Sequence, residues 1–170
     1  MTRARLHGDS TARPENSWRR TQWSGGVGSG RLDGWSEGYT ADAMYPDQVN
    51  PDMCPTWFSW ISVINGQPPL DLSRRLVWLD IGCGTGLGTC AVAAANPNLD
   101  VWGVDYNPAH VDRARSFARR AGLSNCQFLE VTFKELAMDL RVGPDEVDVV
   151  VVHGVYSWIS AANQEFITDV

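Results

Sequence analysis

The apolar run "LVWLDI" (Leu76–Ile81) passes directly into "GCGTGLG", which places Gly82, Gly84, Gly86 and Gly88 within seven residues. A chain gives up that much side chain only for a tight turn, or where something must approach the backbone closely. The small-residue stretch "LGTCAVAAANPN" then reads as a helix stopped at Asn96-Pro97, so the loop joins a buried strand to a helix. The same alternation recurs downstream. "DVWGVD" is a second strand, and Asn107-Pro108 supplies a cap and a first-turn proline for the helix "AHVDRARSFARRAG". Val111, Ala114, Phe117, Ala118 and Ala121 share one face of that helix, Arg119 and Arg120 suit its C-terminal dipole, and Gly122 closes it. "CQFLEV" is a third strand, "VDVVVVH" a fourth, and "SAANQEFITDV" starts another helix. Strands apolar on both faces, alternating with helices, predict a parallel sheet covered on both sides. The fold class is α/β, Rossmann-like, with a readable strand order of 3-2-1-4.

The sequence ahead of this unit divides in two. Residues 1–35 are rich in Gly, Ser, Arg and Thr without periodicity and read as a flexible segment. Gly25 to Gly30 has P-loop spacing, but Arg31 and Leu32 stand where Lys and Ser/Thr are required, so that reading fails. Residues 36–72 read as an N-terminal lid and helix. In "CPTWFSWISVING" Pro55 suits a first turn, Trp57, Trp60, Ile61 and Ile64 form a stripe, and Asn65-Gly66 ends the helix. Tyr39 and Tyr45 could close over a ligand as a lid, or serve as a purely structural cover. Residues 73–170 form the Rossmann-like domain.

Composition bounds the function classes. A net charge of -6 argues against general binding to nucleic acid or an anionic membrane, although five arginines crowd the first twenty residues. No apolar run reaches a membrane span and no secretory signal is legible, so a soluble, cytoplasmic protein is expected. Cys54, Cys83, Cys90 and Cys126 are widely spaced, without a C-x-x-C pair or accompanying histidines, and no metal site is expected. Cys83 in the glycine loop reads as a small buried side chain rather than a nucleophile.

In open parallel sheets ligands bind beyond the C-terminal strand ends, at the switch in strand order. The glycine loop and Asp105, which ends the second strand, converge there. An acid in that place can accept both hydroxyls of a ribose, which favours an adenosine-type ligand over the alternative of a simple turn cap. The dinucleotide fingerprint G-x-G-x-x-G fails, because its third glycine falls on Leu87. Asp80 just ahead of the loop would repel a pyrophosphate and suit an ammonium and a sulfonium. The sign of the charge selects S-adenosyl-L-methionine over NAD.

"VWLDIGCGTGLGT" with "VWGVDYNP" resembles the first two motifs of class I S-adenosylmethionine-dependent methyltransferases, and the resemblance runs from about Trp35 to the end. "SEGYTADAMY", "AAANPNLDVWGVDYNPAHVDRAR" and "HGVYSWIS" are similar to bacterial methyltransferase-domain proteins that carry a C-terminal regulatory region. The resemblance implies that Gly82, Cys83, Gly84 and Gly86 form the turn under the cofactor and that Asp80 holds its amino-acid end. Asp105 would bind the ribose and Tyr106 would pack beside the adenine. Thr132, followed by Phe133, stands where the family often has an acid reading the adenine amino group, and brings no charge there. His153, at the end of the fourth strand, is a candidate base for methyl transfer or a residue orienting the loop, and Tyr156 and Trp158 could line an acceptor pocket.

The resemblance implies a methyltransferase of unknown acceptor, with a small molecule or protein favoured over RNA by the acidic balance. The alternative is a non-catalytic cofactor-binding or regulatory module completed by a partner chain. Class I enzymes usually have seven strands and only four are legible, which leaves "VDVVVV" as an apolar sheet edge. A truncated chain is the favoured explanation, in which case the cofactor half is present, most of the acceptor site is absent and the fragment could be inactive; a partner chain or a homodimer at that edge would also account for it.

Overall fold

The computed structural model describes residues 45–138, 143–144 and 146–169. The segment 1–35, Tyr39 and the glycines at 25–30 lie outside them. Four parallel strands, β1 (Leu76–Ile81), β2 (Leu99–Asp105), β3 (Cys126–Glu130) and β4 (Val149–Val152), lie in the order β3-β2-β1-β4, as the alternation predicts. The helices are α1 (Pro55–Ile64), α2 (Leu87–Ala95), α3 (Pro108–Arg120), α4 (Phe133–Met138) and α5 (Ala161–Thr168).

Side-chain alternation along the strands makes two cores. On one face Leu76, Trp78, Val101, Phe128 and Val151 pack against Cys90 and Ala93 of α2 and Val111, Ala114 and Ala118 of α3. On the other, Leu79, Ile81 and Val104 meet Phe133 and Leu136 of α4, with Phe166 and Ile167 of α5 against them. Asp80 belongs by parity to the first face. The α2 side chains are small enough to let that helix lie close to the sheet.

The caps of α3 follow the sequence. Asn107 Oδ1 accepts from the Ala109 amide at 2.9 Å, Pro108 takes the first position, and Gly122 adopts φ +67° behind Ala121. Two expectations change. In α1 the stripe Trp57, Trp60, Ile61 and Ile64 faces outward, with Trp60 53% exposed; Phe58 is the residue that reaches the core, edge-on to Trp78 at 5.3 Å. Apolar periodicity reports a face, not which side of it the sheet lies on. The second is α4, a helix on a stretch for which the sequence suggested no element. Thr132 and Glu135 form a capping box: the Thr132 amide and hydroxyl both donate to Glu135 Oε2 at 2.9 Å, and the Glu135 amide donates back to Thr132 Oγ1 at 3.0 Å.

Candidate functional site

The site is built where β1 and β2 end. The amides of Gly82 and Cys83 both donate to the Val104 carbonyl, at 2.8 and 3.0 Å, which sews the loop onto β2. Gly82 and Gly86 have φ of +75° and +74°, where a side chain is strained. Their reasons differ from a common ligand. A Cβ on Gly82 would lie 2.3 Å from Val155, and one on Gly86 would lie 2.3 Å from the Ala114 Cβ and 2.9 Å from the Phe128 ring. Gly86 therefore lets α2 start against α3 and β3, and Gly84 is the glycine that presents its amide to the site.

That amide donates to Asp105 Oδ2 at 2.9 Å. Asp105 Oδ1 accepts from the Asn107 amide at 2.8 Å and stands 3.4 Å from Nδ1 of His110. The acid at the end of β2 thus caps its own turn and also ties the glycine loop to α3. Asp80 is 3% exposed and accepts a hydrogen bond from Thr89 of α2, Oγ1 to Oδ2, at 2.6 Å. Burial, with repulsion from Asp105, outweighs the Thr89 bond and the attraction of His153 and lifts its carboxyl to about 6. Burial first, and then the charges of Asp80 and Asp105, push the Cys83 thiol well up, so it stays protonated and is no nucleophile.

Residues 45–54 cross this loop as a strap. The Tyr45 hydroxyl donates to the Gly154 carbonyl at 3.2 Å, and its ring lies where a Cβ on Gly84 would touch it at 3.6 Å. Asp47 is held by both Nε and Nη2 of Arg113, which with Thr85 keeps its carboxyl below the usual range. His153 anchors the other end, with Nδ1 3.2 Å from Asn50 Nδ2 and Nε2 3.4 Å from Asp52 Oδ2. An amide nitrogen only donates and a carboxylate only accepts, so this tautomer carries its proton on Nε2. Both ring nitrogens are engaged, and His153 anchors the strap. Replacing Asn50 and Asp52 together with alanine is expected to free the strap: thermolysin should cut ahead of Val49 or Met53 several-fold faster, with the sheet's unfolding midpoint nearly unchanged.

The other expected site residues fall less centrally. Tyr106 is half-buried at the rim of the second core. Phe133 is 3% exposed within that core, and the Thr132 hydroxyl is committed to the α4 cap, so neither is set to meet an adenine ring directly. Tyr156 is half-exposed in the 3-10 turn Tyr156–Trp158. His110 was missed by the sequence reading, although its place in the first turn after "DYNP" puts it beside Asp105.

A family model described as a methyltransferase domain matches residues 72–168, more than half of the chain. The chain belongs to the methyltransferase-domain family. Its fold is the class I, Rossmann-like one, and the family's cofactor is S-adenosyl-L-methionine. Among curated proteins the methyltransferase domain is similar to the uncharacterized protein sll1526 of Synechocystis, 28% identical over 136 residues, which cover 79% of this chain and 26% of that protein. It is also 33% identical over 86 residues to a tRNA (guanine-N(7)-)-methyltransferase of Rubrobacter xylanophilus, covering 51% of this chain and 38% of that one. Among solved structures it is similar to PKMT2 of Rickettsia typhi in complex with AdoHcy, with a TM-score of 0.64 and 28% identity over 72% of this chain and 23% of that one. The chain thus spans about a quarter of the first of these relatives and of the solved structure. Among the described residues no helix is long and apolar enough to cross a membrane.

The residues present fit that cofactor. A buried carboxylate facing a second one is a site that gains from a cation, and Asp105 retains lone pairs beyond its three protein contacts. A pyrophosphate would meet those same two charges.

Proposed function

We propose that this chain binds S-adenosyl-L-methionine across the Gly82–Gly88 loop and directs its methyl group to a small-molecule or protein acceptor near the end of β4. The observation that carries the reading is the Asp80–Asp105 pair, in which burial and then repulsion from Asp105 hold the Asp80 carboxyl at about 6. Asp80 draws the ammonium and sulfonium, Asp105 accepts from the ribose, Gly84 lets the ligand approach the backbone, and Tyr106 flanks the adenine. Tyr45 closes from the strap. The cofactor supplies an activated methyl group; the protein supplies alignment, worth up to roughly 7–11 kcal/mol of barrier. With both nitrogens of His153 engaged, an acceptor that must lose a proton would lose it to another base or to water.

Calorimetric titration with S-adenosylhomocysteine and, in parallel, NAD tests this. Binding of the former alone is expected. Asp105→Asn, which keeps one acceptor oxygen for the Gly84 amide, should weaken it about 10- to 100-fold, the worth of hydrogen bonds to a charged group. Unchanged affinity in a folded variant removes the ribose role. The absence of a transmembrane helix among the described residues and the acidic balance support a cytoplasmic location, which fractionation would check.

A second reading has its own support. β4 pairs with β1 alone and Val150 is 40% exposed, so a partner chain or second copy could extend the sheet and make this a cofactor-binding module. A monomer by light scattering that turns over acceptors would sink it.

A further inference from the structure

His110 is 6% exposed, and its Nε2 is a buried nitrogen with no hydrogen-bond partner among the described residues. A buried nitrogen left without a partner is destabilising, so it calls for a reason. Its surroundings supply one. Nδ1 stands 3.4 Å from Asp105 Oδ1, and the ring is edge-on to Tyr45 of the strap, with centroids 6.4 Å apart. The imidazole is bracketed by the acid of the adenosine site and by the aromatic that covers the glycine loop. Because a carboxylate can only accept, the neutral imidazole holds its proton on Nδ1, and Nε2 presents a lone pair. Whatever completes it must be a donor.

We infer that His110 is a positioning and specificity residue of the cofactor site, whose Nε2 accepts a hydrogen bond from a ribose hydroxyl of the bound adenosine while Nδ1 holds Asp105 in place. This rests on the reading of the site as an S-adenosylmethionine site. Two acceptors, Asp105 and His110, then face a diol that offers two donors, and the entering ligand supplies the partner that the protein leaves out. Tyr45 must shift aside as the ligand enters, since Nε2 is covered in the structure described here. The other donor on an adenosine is the adenine amino group, and the experiment separates the two.

The test is titration of the chain with S-adenosylhomocysteine and with its 2′-deoxy and 3′-deoxy analogues, for the unsubstituted chain, His110→Asn and His110→Gln. Asn can reproduce the Nδ1 donor to Asp105 but has nothing at Nε2; the Gln amide oxygen can reach the Nε2 position as an acceptor. The unsubstituted chain is expected to bind one deoxy analogue about 3- to 10-fold more weakly than the parent, the net worth of one hydrogen bond. His110→Asn should bind the parent weaker by the same factor and lose that discrimination, and His110→Gln should restore part of it. A merely structural His110 would leave the ratio between parent and analogue unmoved. Full discrimination retained in a folded His110→Asn overturns the inference, as does a loss equal for the parent and both analogues, which would give Nε2 to the adenine amino group. Failure of the unsubstituted chain to bind S-adenosylhomocysteine would overturn the cofactor site itself, and this role with it.

Discussion

Gly86→Ala is expected to destabilise the domain by about 2–5 kcal/mol, enough at the upper end to leave it partly unfolded at 37 °C if its stability is ordinary. Two costs add. Holding a non-glycine residue at φ +74° costs about 1–2 kcal/mol. The new methyl would also sit 2.3 Å from the Ala114 Cβ and 3.0 Å from its Cα, within a packed helix–sheet junction where overpacking costs about 1–3 kcal/mol. One of these neighbours is the α3 backbone, so the helix itself would have to move. Gly122→Ala is the control: it has φ +67° with nothing within 4 Å of the added Cβ, and should cost only about 1–2 kcal/mol. Urea unfolding of the two variants separates strain from packing. Equal losses would mean that α2 and α3 yield to the methyl, and that the glycine serves the turn alone.

Asp80→Asn should move stability and binding in opposite directions. The folded-state value near 6 lies above the roughly 3.9 of an unfolded aspartate, so the folded chain holds this proton more tightly than the unfolded one. Its contribution is fully favourable below about pH 4, fades as pH rises through 6, and above that the buried charge costs on the order of 3 kcal/mol relative to the protonated acid. An asparagine can still accept from Thr89 and carries no charge. It should raise the unfolding free energy at pH 8, by up to that amount, and change little at pH 4. A cationic ligand needs the ionised form, so the affinity of the unsubstituted chain for S-adenosyl-L-methionine should fall about tenfold per pH unit below 6, with a proton released on binding near that pH. Asp80→Asn should bind more weakly at pH 8 and show neither effect. Titrations in two buffers of different ionisation enthalpy measure the proton directly; no release near pH 6 would take Asp80 out of contact with the cation.

The sheet was legible because each strand is a short apolar run with a break that names its end: Gly82 after Ile81, Asn107-Pro108 after Asp105, Gly122 after the α3 face. Asp80 and Asp105 were legible by position, since parity and strand order carry them to one crevice. What stayed hidden depends on side-chain partners. Thr132 reads equally as a ligand contact or as the start of a T-x-x-E cap, and only the returning Glu135 decides. His110 stands in an ordinary first helical turn, and nothing in its neighbours announces that one nitrogen would be buried without a partner. His153 was marked as a base or an orienting residue by its strand end, yet its chemistry is set by Asn50 and Asp52, a hundred residues earlier in the chain. The outward stripe of α1 shows the same limit, because periodicity gives an axis without a sign.

The strap at residues 45–54 takes its partners from the end of β4, about a hundred residues later in the chain. The units β1-α2-β2 and β2-α3-β3 are each made of neighbours in sequence and can form early. β4 must then close back onto β1 past both, and only when His153 and Gly154 are in place do Asn50, Asp52 and Tyr45 find their partners. The cover over the crevice therefore cannot seat before the strand that follows it by about a hundred residues is in place, whereas the sheet does not depend on the cover, so the entrance can open while the fold stays closed.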